Sequence, residues 1–354
     1  MATDKRQREP GAGRITIQDV AELAGVSIAT VSRVLNSHPD VSPVTRAEVL
    51  KHVHETGYVS NRMVDLRPNA RVRLIGLAVP ELRGDYVTEI VAAATETLHD
   101  QGARLVICSD RRNGRSVPLR ERLLPGTTDG ALLILPSDSD EDLKALQESE
   151  YPFVVIEPTM SIDEGIPAVA ATNWAGAKMA AEHLIGLGHT HIGVISGPAT
   201  WRVSEERLAG YHAALLAAGL PLSSRLVQSA DEATIAGGRM AAEQLLSLAH
   251  VPTAIIALND VMAVGVLAAA RARGLEVPDD LSVVGFDDIE MASITTPPLT
   301  TVQQPLQGLG RVGANVLWRL LEGQELDATR IELSTRLIVR ESTAPPRGGS
   351  FMTV

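Results

Sequence analysis

Residues 17–36 read IQDVAELAGVSIATVSRVLN, and their spacing predicts two short helices joined by a tight turn. In the first, Val20, Ala21, Leu23 and Ala24 form an apolar face at helical period, and Gly25 supplies the backbone freedom needed to turn. Ser27 is placed to cap the second helix, where Val31, Val34 and Leu35 face inward and Ile28, Ala29, Ser32 and Arg33 face outward. Small residues at positions 21 and 25, followed by Val31 and Val34, are the packing pattern of a helix-turn-helix, whose helices cross closely only where side chains are small. A helical hairpin without a ligand would share the inner face. The outer face argues for DNA: short side chains let a helix N-terminus enter a major groove, and Arg33 can reach base edges or phosphate. Ile28 and Ala29 would then set base preference by contact with thymine methyl groups.

A third helix is expected after Val41-Ser42, with Ser42 as its N-cap and Ala47, Val49, Leu50 and Val53 on its inner side, ending at Gly57-Tyr58. From Leu74 the pattern changes to short apolar runs alternating with amphipathic helices. LIGLAVP (74–80), RLVICSD (104–110), ALLILPS (131–137), PFVVIEP (152–158) and AVAATN (168–173) make one series. HIGVISG (191–197), RLVQSA (225–230), TAIIALND (253–260) and DLSVVGFDD (280–288) make a second. Helical stretches such as VTEIVAAATETLHDQG (87–102) and EERLAGYHAALLAAG (205–219) separate them, which implies parallel strands with crossovers in two doubly wound lobes.

A chain of 354 residues is long enough for a small domain plus a two-lobed one. Its apolar share of 45% supports a folded protein, and aromatics at 3% require an aliphatic core built on close helix packing. The net charge of −11 is unevenly distributed: residues 1–73 carry +3 and the remainder −14. An acidic body limits non-specific adhesion to DNA and leaves phosphate contacts to the relatively basic N-terminal end. Cys108 is the single cysteine, so no intrachain disulfide can form, and its place in RLVICSD suits a buried strand thiol. No segment approaches the ~18 consecutive apolar residues of a membrane helix. The polar opening MATDKRQREPGAGR lacks the apolar core of a secretory signal and is read as a disordered leader of a cytoplasmic protein.

Ligands of open parallel sheets bind beyond the carboxyl ends of the strands, so residues just after each apolar run are the candidates. These are Tyr86, Glu157, Asn173-Trp174, Arg207 at the start of a helix, Asn259-Asp260 and Asp287-Asp288. Trp201 joins Tyr86 and Trp174 as a possible stacking surface. Amide, carboxylate and guanidinium groups that take pairs of hydroxyls, beside an aromatic face, suit a sugar. Two of these carry structural alternatives: Asp288 could be a helix N-cap, and Asp260 could serve hydrogen bonding within its turn.

DVAELAGVSIATVSRVLN (19–36), VSPVTRAEVL (41–50) and ETGY (55–58) resemble the DNA-binding headpiece of the lactose/galactose repressor (LacI/GalR) family of bacterial transcription regulators. The likeness continues in HLIGLGHTHIGVISGP (183–198), ERLAGY (206–211), ALNDVMAVGV (257–266), VPDDLSVVGFDD (277–288) and PPLTTV (297–302), in the family's order. It implies an all-α helix-turn-helix headpiece followed by two α/β lobes of the periplasmic-binding-protein type, with three chain crossings between lobes near residues 172, 302 and 332. The expected organisation is a leader at 1–14, the headpiece at 15–60, a hinge linker at 61–73, an effector domain at 74–340 and a tail at 341–354. Within the effector domain one lobe takes 74–172 with 303–331 and the other 173–302 with 332–340.

The resemblance also implies a DNA-facing set of Thr16, Ile17, Ile28, Ala29, Thr30, Ser32, Arg33, Asn36, Ser42 and Thr45, extended into the linker by Asn61, Leu66 and Arg67. Ser42 and Thr45 would lie against the DNA backbone, fixing register and not sequence. For Ser42, capping alone would serve equally. In relatives the linker forms a minor-groove helix with a wedged leucine. Here the wedge position is Arg67, with Leu66 one residue early, Val64 in place of an alanine, and Pro68 next, which disfavours helical geometry at Arg67. Three readings stay open: Leu66 wedges in a shifted register, Arg67 reads a narrow minor groove electrostatically, or the segment is a plain linker.

By the same resemblance Arg207, Asn259 and Asp287 match positions that contact the effector, whereas Glu157 and Thr172 depart from the aspartates common there. A homodimer on a pseudo-palindromic operator is implied, with a carbohydrate effector, no cofactor and no metal. Induction, in which the ligand releases DNA, is preferred to corepression. The tail lacks leucine heptads, so no tetramerising helix is expected.

An enzyme is disfavoured. Adjacent Asp287 and Asp288 on a turn point different ways, His183, His189 and His191 lack the spacing of a helical zinc pair, and Ser196 lacks the glycine a nucleophile elbow requires. A solute receptor would account for residues 74–340 but not for the helix-turn-helix, and would call for a secretion signal. A hydrolase of the same fold class would need a convergent catalytic cluster that the sequence does not present.

Overall fold

The computed structural model describes residues 17–35, 41–56, 72–80, 84–109, 111–112, 115–123 and 126–347. The chain forms two compact units that divide between Arg71 and Val72. Thr16, Asn36, Asn61, Leu66, Arg67, the 1–14 leader and linker residues 61–71 lie outside the described residues.

In the first unit α1 spans Ile17–Leu23, α2 Ile28–Leu35 and α3 Pro43–Thr56. Gly25 holds φ at 63°, a left-handed geometry that favours glycine, and this closes the turn between α1 and α2. Ser27 Oγ accepts from Thr30 N at 3.1 Å and Ser42 Oγ from Thr45 N at 3.1 Å, so both hydroxyls satisfy amides that the helix start leaves free. The core is Val20, Ala21, Val31, Val34 and Val49, with Ala24 and Val53 packed against it.

Three expected core residues are excluded from it: Leu23 is 54% exposed, Leu50 is 46% exposed, and Ala47 is also exposed. Three short helices enclose a single narrow stripe. Val49 and Val53, four residues apart, occupy the α3 share of it and turn their neighbours outward. The side chain of Leu35 lies outside the described residues.

The second unit contains two six-stranded sheets. In spatial order the first is Arg330–Leu333, Ala168–Ala171, Phe153–Ile156, Gly130–Ile134, Leu74–Val79 and Arg104–Ser109, all parallel. The second is Arg336–Ile338, Thr300–Gln303, Ser282–Asp287, Ala254–Ala257, Ile192–Ser196 and Val227–Ser229, parallel except for its first strand. Strand residues alternate between two apolar layers. Ile75, Leu77, Leu132 and Ile134 pack under the helices Asp85–Asp100 and Leu306–Leu321, while Ala78, Leu133 and Val155 pack with Leu119, Leu123 and Leu143. The scarcity of aromatics is met by close helix contacts. At Gly210 an added Cβ would lie 2.3 Å from the Trp174 carbonyl oxygen, so the helices Asn173–Gly186 and Arg202–Ala217 approach backbone to backbone.

The chain passes between the sheets at Thr172, after Gln303 and after Leu333. Gln303 still pairs within the second sheet, and Glu332 and Leu333 within the first. The last two passages therefore fall one or two residues later than the sequence suggested, because each strand runs on until its pairing ends. The described part of the tail is pinned to the second sheet. Ser342 is fully buried and donates to the Val283 carbonyl at 2.6 Å, and Ala344 N donates to Ser282 Oγ at 3.0 Å.

Candidate functional site

On the headpiece, α2 presents Ile28, 47% exposed, with Ala29 and Arg33 also exposed and Thr30 and Ser32 part-buried. This is the outer face the spacing called for, raised on the buried Val31 and Val34. Ile17, at the start of α1, is part-buried and packs against the core, so little of it is left for DNA. Ser42 is exposed and Thr45 part-buried at the first turn of α3. Their hydroxyls lie 2.8 Å apart, so cap and solvent-facing donor occur together.

The second candidate site lies where the two sheets end. Tyr86 begins the helix after the first strand and donates its hydroxyl proton to Gln304 Oε1 at 3.4 Å. Gln304 Nε2 donates to Asp287 Oδ1 at 2.7 Å, and Arg207 Nη2 donates to the same oxygen at 3.4 Å. Arg207 Nε donates to Asn173 Oδ1 at 3.0 Å, and its Nη1 to the Leu258 carbonyl. Asn173 Nδ2 in turn faces Glu157 Oε2 at 3.4 Å, while Glu157 Oε1 accepts from Ala171 N. A continuous polar chain thus runs from Tyr86 to Glu157 through both lobes. The Arg207 guanidinium lies 3.6 Å from the centroid of the Phe286 ring, which holds it flat.

Glu157 and Asp287, both at strand ends, have φ of 53° and 111°, positions that cost about 1 kcal/mol or more for a side chain with Cβ. Burial pushes the Glu157 carboxyl up to about 7, against the pull of Ala171 N and Arg207. It pushes Asp287 up to about 6, opposed by Arg207 and Gln304. Tyr86 is held well above its usual value by burial and by the charges of Glu157 and Asp287, so its phenol stays neutral.

The remaining candidates stand apart from this chain. Asn259 caps the helix Asp260–Ala272 by accepting from Met262 N at 3.0 Å, which occupies one lone pair of its carbonyl oxygen. Trp174 and Trp201 are 46% and 37% exposed and take no part in the buried network. Asp260 is fully buried and accepts from Ile289 N at 3.0 Å and from Thr301 Oγ1, so its role is structural but ties distant segments together and does not serve its own turn. Asp288 is no cap: it pairs with Arg340 at 2.6 Å and accepts from Gln303 at 2.7 Å, while Ile289 occupies the N-cap position. A separate polar cavity of about 530 Å³ is lined by residues including Asp85, Glu89, Gln304 and Arg311, but by none of Glu157, Asn173, Arg207 or Asp287.

Sequence reasoning missed Gln304 and Phe286. Gln304 follows the Thr300–Gln303 strand, so the strand-end rule would have reached it had PPLTTVQ been read as a strand as well as a motif. His183, His189 and His191 bond to Thr343, to Thr253, Ser282 and Ala344, and to His250 respectively, and no metal-holding group of His, Cys, Asp and Glu occurs among the described residues. Cys108 is a buried free thiol.

A helix-turn-helix followed by two doubly wound lobes with polar strand ends defines a ligand-responsive DNA-binding regulator. Residues 16–61 match the family model for bacterial regulatory proteins of the lacI family, and residues 181–343 match a periplasmic binding protein-like domain. The chain is 33% identical to the HTH-type transcriptional regulator DegA of Bacillus subtilis (strain 168), covering 94% of this chain and 99% of that one. It is 35% identical to the HTH-type transcriptional regulator CelR of Thermobifida fusca, over 96% and 99%. Among solved structures, a CelR–cellobiose complex aligns at a TM-score of 0.69 and 36% identity, covering 93% of this chain and 100% of that one. A lac repressor dimer bound to operator and the anti-inducer ONPF aligns at 0.73 and 31%, covering 94% and 100%. The chain belongs to the LacI family and is a DNA-binding transcriptional regulator. Among its described residues no helix is long and apolar enough to cross a membrane.

Proposed function

We propose that this regulator is a cytoplasmic homodimeric repressor that grips a pseudo-palindromic operator through α2 and is released from it by an uncharged, hydroxyl-rich sugar, with no catalytic activity of its own. The DNA-facing residues on this reading are Ile28, Ala29, Thr30, Ser32 and Arg33, supported by Ser42 and Thr45 on the phosphate backbone. The effector lies against Glu157, Asn173, Arg207 and Asp287, with Tyr86 and Asn259 adding hydrogen bonds and Trp174 and Trp201 a ring surface at the edge.

The observation that carries the reading is the buried polar chain from Tyr86 to Glu157, which draws on both lobes at once. A ligand that inserts there must alter contacts in both, which gives it different affinities for two lobe arrangements. The charge of the ligand follows from the donors. Three of the five Arg207 N–H groups are committed to Asn173, Leu258 and Asp287, and its charge is already met by Asp287, which favours a ligand without a phosphate. The Glu157 and Asp287 carboxyls offer oxygen acceptors to sugar hydroxyls. The likeness to a cellobiose complex and to an operator-bound dimer supports the same classes of partner.

The test is a thermal-shift screen of the full chain against cellobiose, maltose, galactose, ribose and glucose 6-phosphate, followed by a gel shift on DNA upstream of its own gene. A neutral sugar should raise Tm, since a ligand preferring the folded state stabilises it. The same sugar should weaken the shifted band. Stabilisation by glucose 6-phosphate alone would overturn the assignment of charge.

A further inference from the structure

The corner that ends the Ser282–Asp287 strand is fastened by two polar layers, and only one of them belongs to the cleft. In the cleft layer Asp287 Oδ1 accepts from Gln304 Nε2 at 2.7 Å and from Arg207 Nη2 at 3.4 Å, and Tyr86 donates to Gln304. The second layer repeats this arrangement one residue over. Asp288 Oδ2 accepts from Gln303 Nε2 at 2.7 Å, Asp288 Oδ1 accepts from Arg340 Nη2 at 2.6 Å, and Arg336 Nε donates to Gln303 Oε1 at 2.6 Å. Each layer is thus an aspartate held by a glutamine and an arginine, with a third side chain donating to the glutamine. Asp287 and Gln303 are register partners in adjacent strands, so the pairs 287–288 and 303–304 meet and each aspartate takes one glutamine. Asp288 and Gln303 also line the separate polar cavity, which Asp287 does not.

The corner needs holding. Asp287 and Asp288 are consecutive residues with φ of 111° and 58°, and a backbone of this kind in residues with Cβ persists only where the surroundings over-determine it. The cleft layer cannot do this alone during binding, because a sugar hydroxyl accepted by Asp287 Oδ1 competes with Gln304 and Arg207 for the same oxygen. The second layer is untouched by that exchange. The side chains of Asp288 and Arg340 are 8% and 21% exposed, so their ion pair is largely withdrawn from water and from screening by salt. Arg340 is itself fixed to the neighbouring strand: its N donates to Thr300 Oγ1 at 2.9 Å and its Nη1 to the Leu299 carbonyl at 2.8 Å.

We propose that the Asp288–Arg340 pair, with Gln303, is a brace that keeps the Asp287 carboxyl where it binds the effector, so that the ligand takes its hydrogen bonds without the corner relaxing. Asp288 and Arg340 are positioning residues: they act on the ligand through Asp287 and belong to neither the cleft network nor the outer face of α2. The inference rests on the effector reading above and assigns a part in it to residues outside the cleft.

The experiment is isothermal titration calorimetry of the full chain with whichever of the five panel sugars raises the wild-type Tm most, well below the Tm of every variant, so that only folded protein is read. The variants are Asp288→Asn, Arg340→Ala and Arg340→Lys. Asparagine keeps an oxygen for Gln303 and tolerates a left-handed backbone, so Asp288→Asn removes the charge and little else. Asp288→Asn and Arg340→Ala should each lose about tenfold or more in sugar affinity, the worth of one hydrogen bond to a charged group. Arg340→Lys keeps a cation for Asp288 and should stay within about threefold of wild type. Added to Asp287→Asn, which retains an acceptor oxygen, Asp288→Asn should cost less than about twofold more, because the brace then has little left to position. Wild-type affinity in Asp288→Asn and Arg340→Ala overturns the brace. So does a full further loss in the double variant, which would place the action of Asp288 elsewhere than through Asp287. A wild type that binds none of the five sugars fails the effector reading first, and the brace with it.

Discussion

Gln304 donates to Oδ1 of Asp287 at 2.7 Å across the second passage of the chain between the sheets. Asp287 ends a strand of one lobe, and Gln304 heads the helix that returns to the other. A ligand that takes hydrogen bonds from Asp287 competes with Gln304, and so changes what joins the lobes. Asp287→Ala should retain operator binding while the ratio of operator affinity without and with sugar falls about tenfold, toward one. Anisotropy titrations with and without sugar check it. A wild-type ratio would remove Asp287 from the site.

Glu157 sets a pH dependence whose sign is fixed. Its folded value of about 7 lies above the ordinary carboxylate value, so the native state holds a proton that the unfolded chain has lost between about pH 4.5 and 7. Stability from this group is complete below that window and declines as pH rises through it, by up to ~3 kcal/mol. Glu157→Gln mimics the protonated form. Its Tm relative to wild type should rise steadily from pH 5 to pH 8, and parallel melting curves across that range would contradict the assignment.

Much of the headpiece was legible in the sequence because helical spacing, one glycine and two capping serines act locally. Leu23 and Leu50 were misplaced because periodicity marks an apolar residue without stating how wide a three-helix core can be. The lobes were equally legible from alternating apolar runs. Their passages were off by one or two residues because strand pairing, which sequence spacing does not report, ends them. At the cleft, the strand-end rule named Glu157, Asn173 and Asp287, and Arg207 was named at the start of a helix; the structure brings the four together. Their mutual contacts and the part of Gln304 come from tertiary placement alone, as does the pairing of Asp288 with Arg340.

Ser42 separates capping from DNA contact. Its hydroxyl accepts from Thr45 N, so Ser42→Ala should cost about 1 kcal/mol of headpiece stability. Ser42→Asp keeps a capping oxygen but sets a negative charge on an exposed position. It should preserve the melting temperature and weaken operator binding most at low salt, and its deficit relative to wild type should shrink as salt rises, while both affinities fall. Unchanged affinity in Ser42→Asp would leave Ser42 with capping only.

Ala29→Gln extends the exposed side of α2 by an amide that can pair with adenine. The fold should be unaffected, since Ala29 packs against nothing in the headpiece core. Operator choice should shift, with a loss of about 1–3 kcal/mol on the original site. Selection from a randomised half-site library reads the change, and an unaltered consensus would show that α2 is not the reading helix.

The central claim is that a short N-terminal unit holds duplex DNA and a two-lobed unit behind it decides when the hold is released. The most direct measurement is competition binding of the purified chain to its own upstream DNA against random duplex at moderate ionic strength, with and without the stabilising sugar. The account predicts a clear preference for the upstream DNA that the sugar diminishes. Equal binding to both duplexes under every condition would contradict it.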